Sequence, residues 1–115
     1  MKIPQRGYLL RVFIGESDRW KGKPLYEAIV LKARELHLAG ATVLRGPMGF
    51  GANSRLHTTK ILRLSEDLPI VIEIVDRREK IDELLTHIDD MLAEGLVTLE
   101  PVRVIRYRGR ADGGR

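Results

Sequence analysis

No cysteine occurs among the 115 residues, which excludes a disulfide framework, a thiolate zinc site, an iron–sulfur cluster and a cysteine nucleophile. Long uncharged runs are missing too. The longest segments without Asp, Glu, Lys or Arg are Leu36–Leu44 and Gly46–Ser54, nine residues each, whereas a membrane helix takes about 20 apolar residues. Met1–Arg6 offers no apolar stretch of the kind a signal peptide uses, so the cytoplasm is the expected compartment. Phosphate grips of the usual strand–loop–helix kind are absent: GPMGFG places its glycines at 46, 49 and 51, and no GKS or GKT follows. There is no G-x-S-x-G, no H-x-x-x-H and no conspicuous carboxylate pair, since Asp89–Asp90 falls on a solvent face of a helical stripe. His37, His57 and His87 are too scattered to bind a metal within one chain, although His57 with loop carboxylates could do so across subunits. A non-enzymatic role is expected.

What is present fits one domain. A chain of this length builds a single core, taken as residues 1–109, followed by a basic and flexible tail over 110–115. The net charge of +4 is concentrated at the end, where Arg103, Arg106, Arg108, Arg110 and Arg115 all fall. The remainder is nearly neutral, and such a tail reads as solvated rather than as a nucleic-acid stripe.

Tyr8–Ile14 (YLLRVFI) reads as a strand stopped by Gly15, and Glu16–Lys23 as a polar loop. Pro24 opens a helix with Leu25, Ala28, Ile29, Ala33, Leu36 and Ala39 on one face and Gly40 as its stop. Ala41–Arg45 reads as a second strand, and the glycine-rich Gly46–Ser54 as a mobile loop that extends to Thr58, with strand character returning over Thr58–Leu64. Leu68–Val75 (LPIVIEIV) is the clearest strand. Asp76 and Glu79 form a D-x-x-E helix start ahead of the stripe Ile81, Leu84, Leu85, Ile88, Met91 and Leu92, which ends at Gly95. Leu96–Tyr107 is a last strand region interrupted at Pro101.

The order predicts an α+β fold, a ferredoxin-like βαββαβ sandwich with a four-stranded antiparallel sheet and two helices on one face. Ile70, Ile72 and Ile74 alternate with Val71 and Val75, and Leu10, Val12 and Ile14 with Leu9 and Phe13. Both sheet faces are therefore apolar, and two helices cover one of them, which predicts packing against further copies. Trp20 and Phe50 are expected against the rim of the core; if exposed, they mark a partner surface.

This order, with Gly49-Phe50-Gly51 opening a long loop, LPIVIEIV in the following strand and VIRYRG over Val104–Gly109, resembles the nitrogen-regulatory PII superfamily of trimeric signalling proteins. G-K-P-L-Y (Gly22–Tyr26), AGATVLRG (Ala39–Gly46), HTTKILRLSEDLP (His57–Pro69) and EIVD (Glu73–Asp76) resemble a PII-like branch known only as a domain of unknown function. The resemblance implies a homotrimer that binds an adenine nucleotide (ATP, ADP or AMP) or another small anionic effector in clefts between subunits. It further implies signalling through the Gly46–Thr58 loop to a protein partner such as a membrane transporter. The residues implied at the ligand are Gly49, Phe50, Gly51, Asn53, Arg106 and Arg108. On a strand, Arg106 and Arg108 at i and i+2 would share a face and present two guanidinium forks to phosphate, or else pair with carboxylates such as Glu73 and Glu100.

The sequence departs from the PII pattern at four places. The family's phosphate-holding G-D-G-K is replaced by AEGLVTL over Ala93–Leu99, and Ile70 stands where Lys follows Leu-Pro. Arg63 falls near the position of the modified loop tyrosine, which excludes nucleotidylation of that tyrosine. Asn53 replaces a Gln that helps hold Mg²⁺ and an oxo-acid, keeping the same donor chemistry one methylene shorter. A structural or metal-responsive trimer resembling the copper-tolerance branch is the alternative. An RNA-binding module is a weaker one, because RNP1-type recognition needs aromatics on the sheet, whereas Gly51 is followed by Ala52, Asn53, Ser54 and Arg55.

Overall fold

The computed structural model describes residues 6–50 and 67–109. Its main sheet comprises β1 (Arg6–Gly15), β4 (Thr42–Arg45), β5 (Pro69–Asp76) and β6 (Leu96–Arg103) in the order β4-β5-β1-β6, with every pairing antiparallel. A two-residue hairpin, β2 (Arg19–Trp20) with β3 (Lys23–Pro24), lies within the segment expected to be a plain loop. Helices α1 (Leu25–Glu35) and α2 (Arg78–Met91) complete the fold. Alternation fixes the faces. Leu10, Val12 and Ile14 of β1 and Ile70, Ile72 and Ile74 of β5 are buried with Leu25, Ala28, Ile29 and Ala33 of α1 and Ile81, Leu84, Ile88 and Met91 of α2. Burying each large aliphatic contributes about 1.5–3 kcal/mol.

Both helix ends differ from the sequence expectation. α1 stops at Glu35, and His37 at φ 64 takes the left-handed position expected of Gly40. The amide of His37 donates to the carbonyl of Arg34 (3.0 Å) and that of Leu38 to Ala33 (3.0 Å), which is a Schellman closure. Lys80 Nζ donates to the Leu36 carbonyl at 2.5 Å, placing a cation on the negative end of α1. At the start of α2 the N-cap is Arg77, and Asp76 lies one residue earlier, 0% exposed. The carboxylate of Asp76 accepts from the amides of Arg77 (2.7 Å) and Ala39 (2.9 Å), tying the exit of α1 to the β5–α2 junction.

α2 ends at Met91, ahead of Gly95, whose φ of +143° and close approach to β1 have another cause. A Cβ on Gly95 would lie 2.9 Å from the Phe13 carbonyl oxygen, so glycine lets β6 enter beside β1. β6 runs straight through Pro101, which pairs with Tyr8. β6 is an edge strand, where the missing N–H forfeits no ladder bond. The strand then ends at Arg103 opposite Arg6, four residues short of the expected Tyr107. The strand expected over Thr58–Leu64 and the tail over 110–115 lie outside the described residues.

Candidate functional site

The segment that leaves β4 and the one that enters β5 are both held by the end of β1. The amide of Gly46 donates to the Pro69 carbonyl (2.8 Å), and that of Glu16 to the Leu68 carbonyl (2.8 Å). Asp67 Oδ1 accepts from the Ser17 amide at 3.0 Å, and Arg45 pairs with Glu16. Gly46 and Gly49 lie against the Pro69 ring, where an added Cβ would come within 2.9 and 3.0 Å of its Cγ. Asp18 organises the other side. Its carboxylate accepts from the Gly15 amide (3.0 Å) and its carbonyl from the Leu25 amide (2.8 Å), giving α1 the first-turn partner that Pro24 lacks a side chain to provide. Phe50, expected against the core rim, is 78% exposed, whereas Trp20 is half-buried against the core with Lys21 Nζ 4.7 Å from its ring. Gly51 and Asn53 lie outside the described residues.

The sheet face away from the helices carries Leu9 and Phe13 of β1, Val71 and Val75 of β5, Leu44 of β4 and Leu96 of β6. In one chain this face is only partly covered, and Leu44 and Leu96 are 48% and 56% exposed. At its centre Arg11 reaches across two strands, with Nε 2.9 Å from Glu73 Oε2 and Nη1 2.9 Å from Glu100 Oε1. The hydrogen bond to Glu73 acts most strongly on the guanidinium and holds it above its ordinary value; the cost of burial comes next and opposes this, and the charges of Glu73 and Glu100 add to the rise. These are the carboxylates the sequence offered as partners for Arg106 and Arg108; they serve Arg11 instead. Arg11 reads in the sequence as one polar interruption of an apolar strand. Its cross-strand neighbours emerge only with the register.

Arg106 and Arg108 do not sit on a strand, since β6 has ended at Arg103 and residues 104–109 take no regular structure. The shared-face arrangement expected of them is therefore absent in the single chain. Val104 lies against Gly7, which the Asp76 carbonyl also approaches, and Tyr107 Oη donates to the Ala39 carbonyl at 2.8 Å. Both contacts are at the Asp76 end of β5, while Gly46–Phe50 begins at the Pro69 end. Seven residue steps at about 3.4 Å each separate those ends by roughly 24 Å. Among the described residues, one chain thus does not bring Gly49 and Phe50 together with Arg106 and Arg108. Among the described residues no three His, Asp or Glu side chains gather in a metal-binding group, and no helix is long and apolar enough to cross a membrane.

This architecture has close counterparts. The model of the DUF190 family, described as "Uncharacterized ACR", matches residues 7–104. The chain belongs to that family. A UPF0166 protein of Aquifex aeolicus (strain VF5) is 41% identical over 97 residues, covering 84% of this chain and 91% of the relative. A second, from Methanocaldococcus jannaschii, is 30% identical over 102 residues, covering 88% and 92%. Among solved structures, a protein of Thermus thermophilus described as PII-like signaling superposes with a TM-score of 0.60 at 14% identity, covering 87% of this chain and 90% of that one. CPII of Thiomonas intermedia, solved bound to ADP, AMP and acetate, gives 0.59 at 15% identity, covering 88% and 90%. The same protein bound to ADP and bicarbonate gives 0.56 at 18% identity, with the same coverage. The fold of this DUF190 chain is that of the PII-like proteins.

Proposed function

We propose that this DUF190 protein is a cytoplasmic homotrimeric sensor of a small anionic effector, most simply an adenine nucleotide. The effector binds in clefts between subunits and is read out to a protein partner, such as a membrane transporter, through the loop that begins at Gly46. The observation that carries this reading is the separation of the loop base from Arg106 and Arg108 by the length of β5. A phosphate-sized ligand can meet both only where two copies adjoin. Three further features support the reading. The helix-free sheet face carries apolar side chains around the Arg11 ion pairs and leaves Leu44 and Leu96 exposed in one chain, as expected of a surface that packs against copies. The loop base is built from backbone and glycine packed on Pro69, which suits a loop held at its root. CPII, with the same fold, binds ADP, AMP, acetate and bicarbonate, all small anions. The guanidiniums of Arg106 and Arg108 supply charge-assisted forks to the phosphates, and Phe50 supplies an exposed apolar surface for adenine or for the partner. A ligand set of this kind binds and orients without breaking a bond, so the protein acts as a sensor rather than an enzyme.

Calorimetry with ATP, ADP, AMP, cyclic AMP and bicarbonate, on the wild type and on Arg106→Ala with Arg108→Ala, tests the assignment. Removing a charge-assisted hydrogen bond costs about 1.5–3 kcal/mol, so the double variant is expected to bind at least tenfold more weakly. Absence of heat with every nucleotide and with bicarbonate, or binding indifferent to both substitutions, would leave a purely structural trimer as the better account.

A further inference from the structure

The start of β1 and the end of β6 bring two arginines together. Arg6 and Arg103 are direct partners in the antiparallel register, which sets their Cβ atoms about 5 Å apart on one side of the sheet. Alternation says which side. Leu10 and Val12 are buried against the helices, so Tyr8 and Arg6 continue the same face, with Pro101 opposite Tyr8 and Arg103 opposite Arg6. A cleft of about 770 Å³, within the size range of small-molecule sites, is bordered there by Arg6, Tyr8, Pro101, Val102 and Arg103. A third guanidinium comes from α2: Arg78, its first residue, lies 5.4 Å from the centre of the Tyr8 ring.

This arrangement runs against local preference twice. Like charges directly opposite one another weaken an antiparallel pair, and Arg77 and Arg78 place cations at the positive end of α2, where the dipole favours anions. Arg78 is offset by Asp82 at 3.0 Å and Arg77 by Glu79 at 3.8 Å, whereas Arg6 pairs with no carboxylate among the described residues. Departures of this kind concentrate where side chains serve a ligand rather than the fold. The geometry points to a phosphate site at this corner, in which Arg6 and Arg103 grip one phosphoryl or pyrophosphoryl group from two sides and the rings of Tyr8 and Pro101 form an apolar wall for the rest of a phosphorylated small molecule. Guanidinium forks match phosphate oxygens in pairs, and Arg78 holds the Tyr8 ring while adding positive potential. The site is built from one chain on the helix side of the sheet and uses none of the residues proposed for the cleft between copies. It goes beyond that reading and stands or falls apart from it.

Calorimetry with sodium pyrophosphate tests the assignment, run on the Arg106→Ala/Arg108→Ala protein so that the proposed cleft contributes nothing. One pyrophosphate should bind per chain. Adding Arg6→Ala or Arg103→Ala to that background should weaken binding at least tenfold, the loss of one charge-assisted contact, with Arg6→Lys intermediate because it keeps the charge without the fork. Arg19→Ala removes the same charge beyond the far end of β1. At physiological ionic strength charges are screened over about 8 Å, so this control should leave the affinity unchanged. Circular dichroism should be the same for every variant, since Arg6 and Arg103 are exposed. Pyrophosphate binding that vanishes in the Arg106→Ala/Arg108→Ala background would assign the anion to the cleft and overturn this site. An Arg19→Ala effect as large as that of Arg6→Ala would reduce the site to net charge and overturn it too, as would the absence of pyrophosphate binding at millimolar concentration. Nucleotide binding lost in that background while pyrophosphate still binds through Arg6 would support two separate sites.

Discussion

Replacing Asp76 by alanine should be the most damaging single polar change among the described residues. The carboxylate is fully buried and accepts two backbone amides, from Arg77 at 2.7 Å and Ala39 at 2.9 Å. The first is its own neighbour at the N-cap of α2; the second lies 37 residues away in the link from α1 to β4. Hydrogen bonds to a charged acceptor contribute about 1.5–3 kcal/mol each, and a donor left without an acceptor retains its desolvation cost. Because the two bonds share one side chain, their losses will not add fully, and Asp76→Ala should cost about 3–4 kcal/mol. Asp76→Asn keeps one acceptor oxygen and turns an NH₂ toward the other amide, so it should cost about half as much. Urea denaturation at fixed protein concentration, monitored by circular dichroism, measures both; concentration must be fixed because association adds to apparent stability. At about 4 °C per kcal/mol for a domain of about 100 residues, the alanine variant should also melt more than 10 °C lower. The reasoning fails if Asp76→Ala costs under 1 kcal/mol, or if asparagine is as harmful as alanine.

Gly95→Ala should destabilise by about 1–3 kcal/mol in the same urea assay, because φ of +143° and a Cβ 2.9 Å from the Phe13 carbonyl oxygen leave no strain-free arrangement; a neutral result would place the chain differently at the entry to β6. His37→Gly should stabilise by roughly 0.5–1 kcal/mol, since glycine takes the left-handed C′ position that His37 holds at φ 64; a lower urea midpoint would mean the imidazole makes a compensating contact. Arg11→Ala should lower stability by leaving Glu73 and Glu100 facing each other on the open sheet face, and Glu73→Gln added to it should restore part of the loss; no rescue would mean the charges do not interact there. The hydrogen bond and charge of Lys32 hold Glu35 below the ordinary carboxylate value. Its contribution is complete above the unfolded value and disappears as pH falls through the lowered folded one, so Glu35→Gln should flatten the acid limb of the stability profile.

The elements were legible wherever periodicity alone decides them. Ile70, Ile72 and Ile74 marked the strand that became β5, and Ile81, Leu84 and Ile88 the buried face of α2, because alternation and helical spacing are local properties of the sequence. Termination depended on partners instead. Gly40 looked like the stop of α1, but His37 took the position, supported by the carbonyls of Arg34 and Ala33 and by Lys80 from the other helix. Asp76 matched a helix-start pattern, yet its carboxylate also reached Ala39 in a different segment. Pro101 looked like an interruption because the sequence does not say which strand will be at an edge. At the loop base Asp18, three residues after Gly15, carried a readable turn signal. The grip of Asp67 on Ser17 had none, since it joins residues 50 apart.

The same division governs the candidate site. Gly49, Phe50, Arg106 and Arg108 were picked out by motif, and motif carries no distance. Only the register, Gly46 on Pro69 at one end of β5 and Val104 against Gly7, which lies beside the Asp76 carbonyl, at the other, shows that these residues occupy opposite ends of one sheet. In the proposed oligomer a site made of them would therefore be assembled from two chains, and its affinity would depend on how firmly the chains associate. Each cleft would be complete only in the oligomer, so ligand should tighten assembly by the same factor by which assembly tightens ligand. Sedimentation with and without nucleotide, at protein concentrations spanning the association midpoint, reads that factor directly. If nucleotide binds but leaves the midpoint unmoved, the ligand site lies within one chain and the two-copy cleft is refuted.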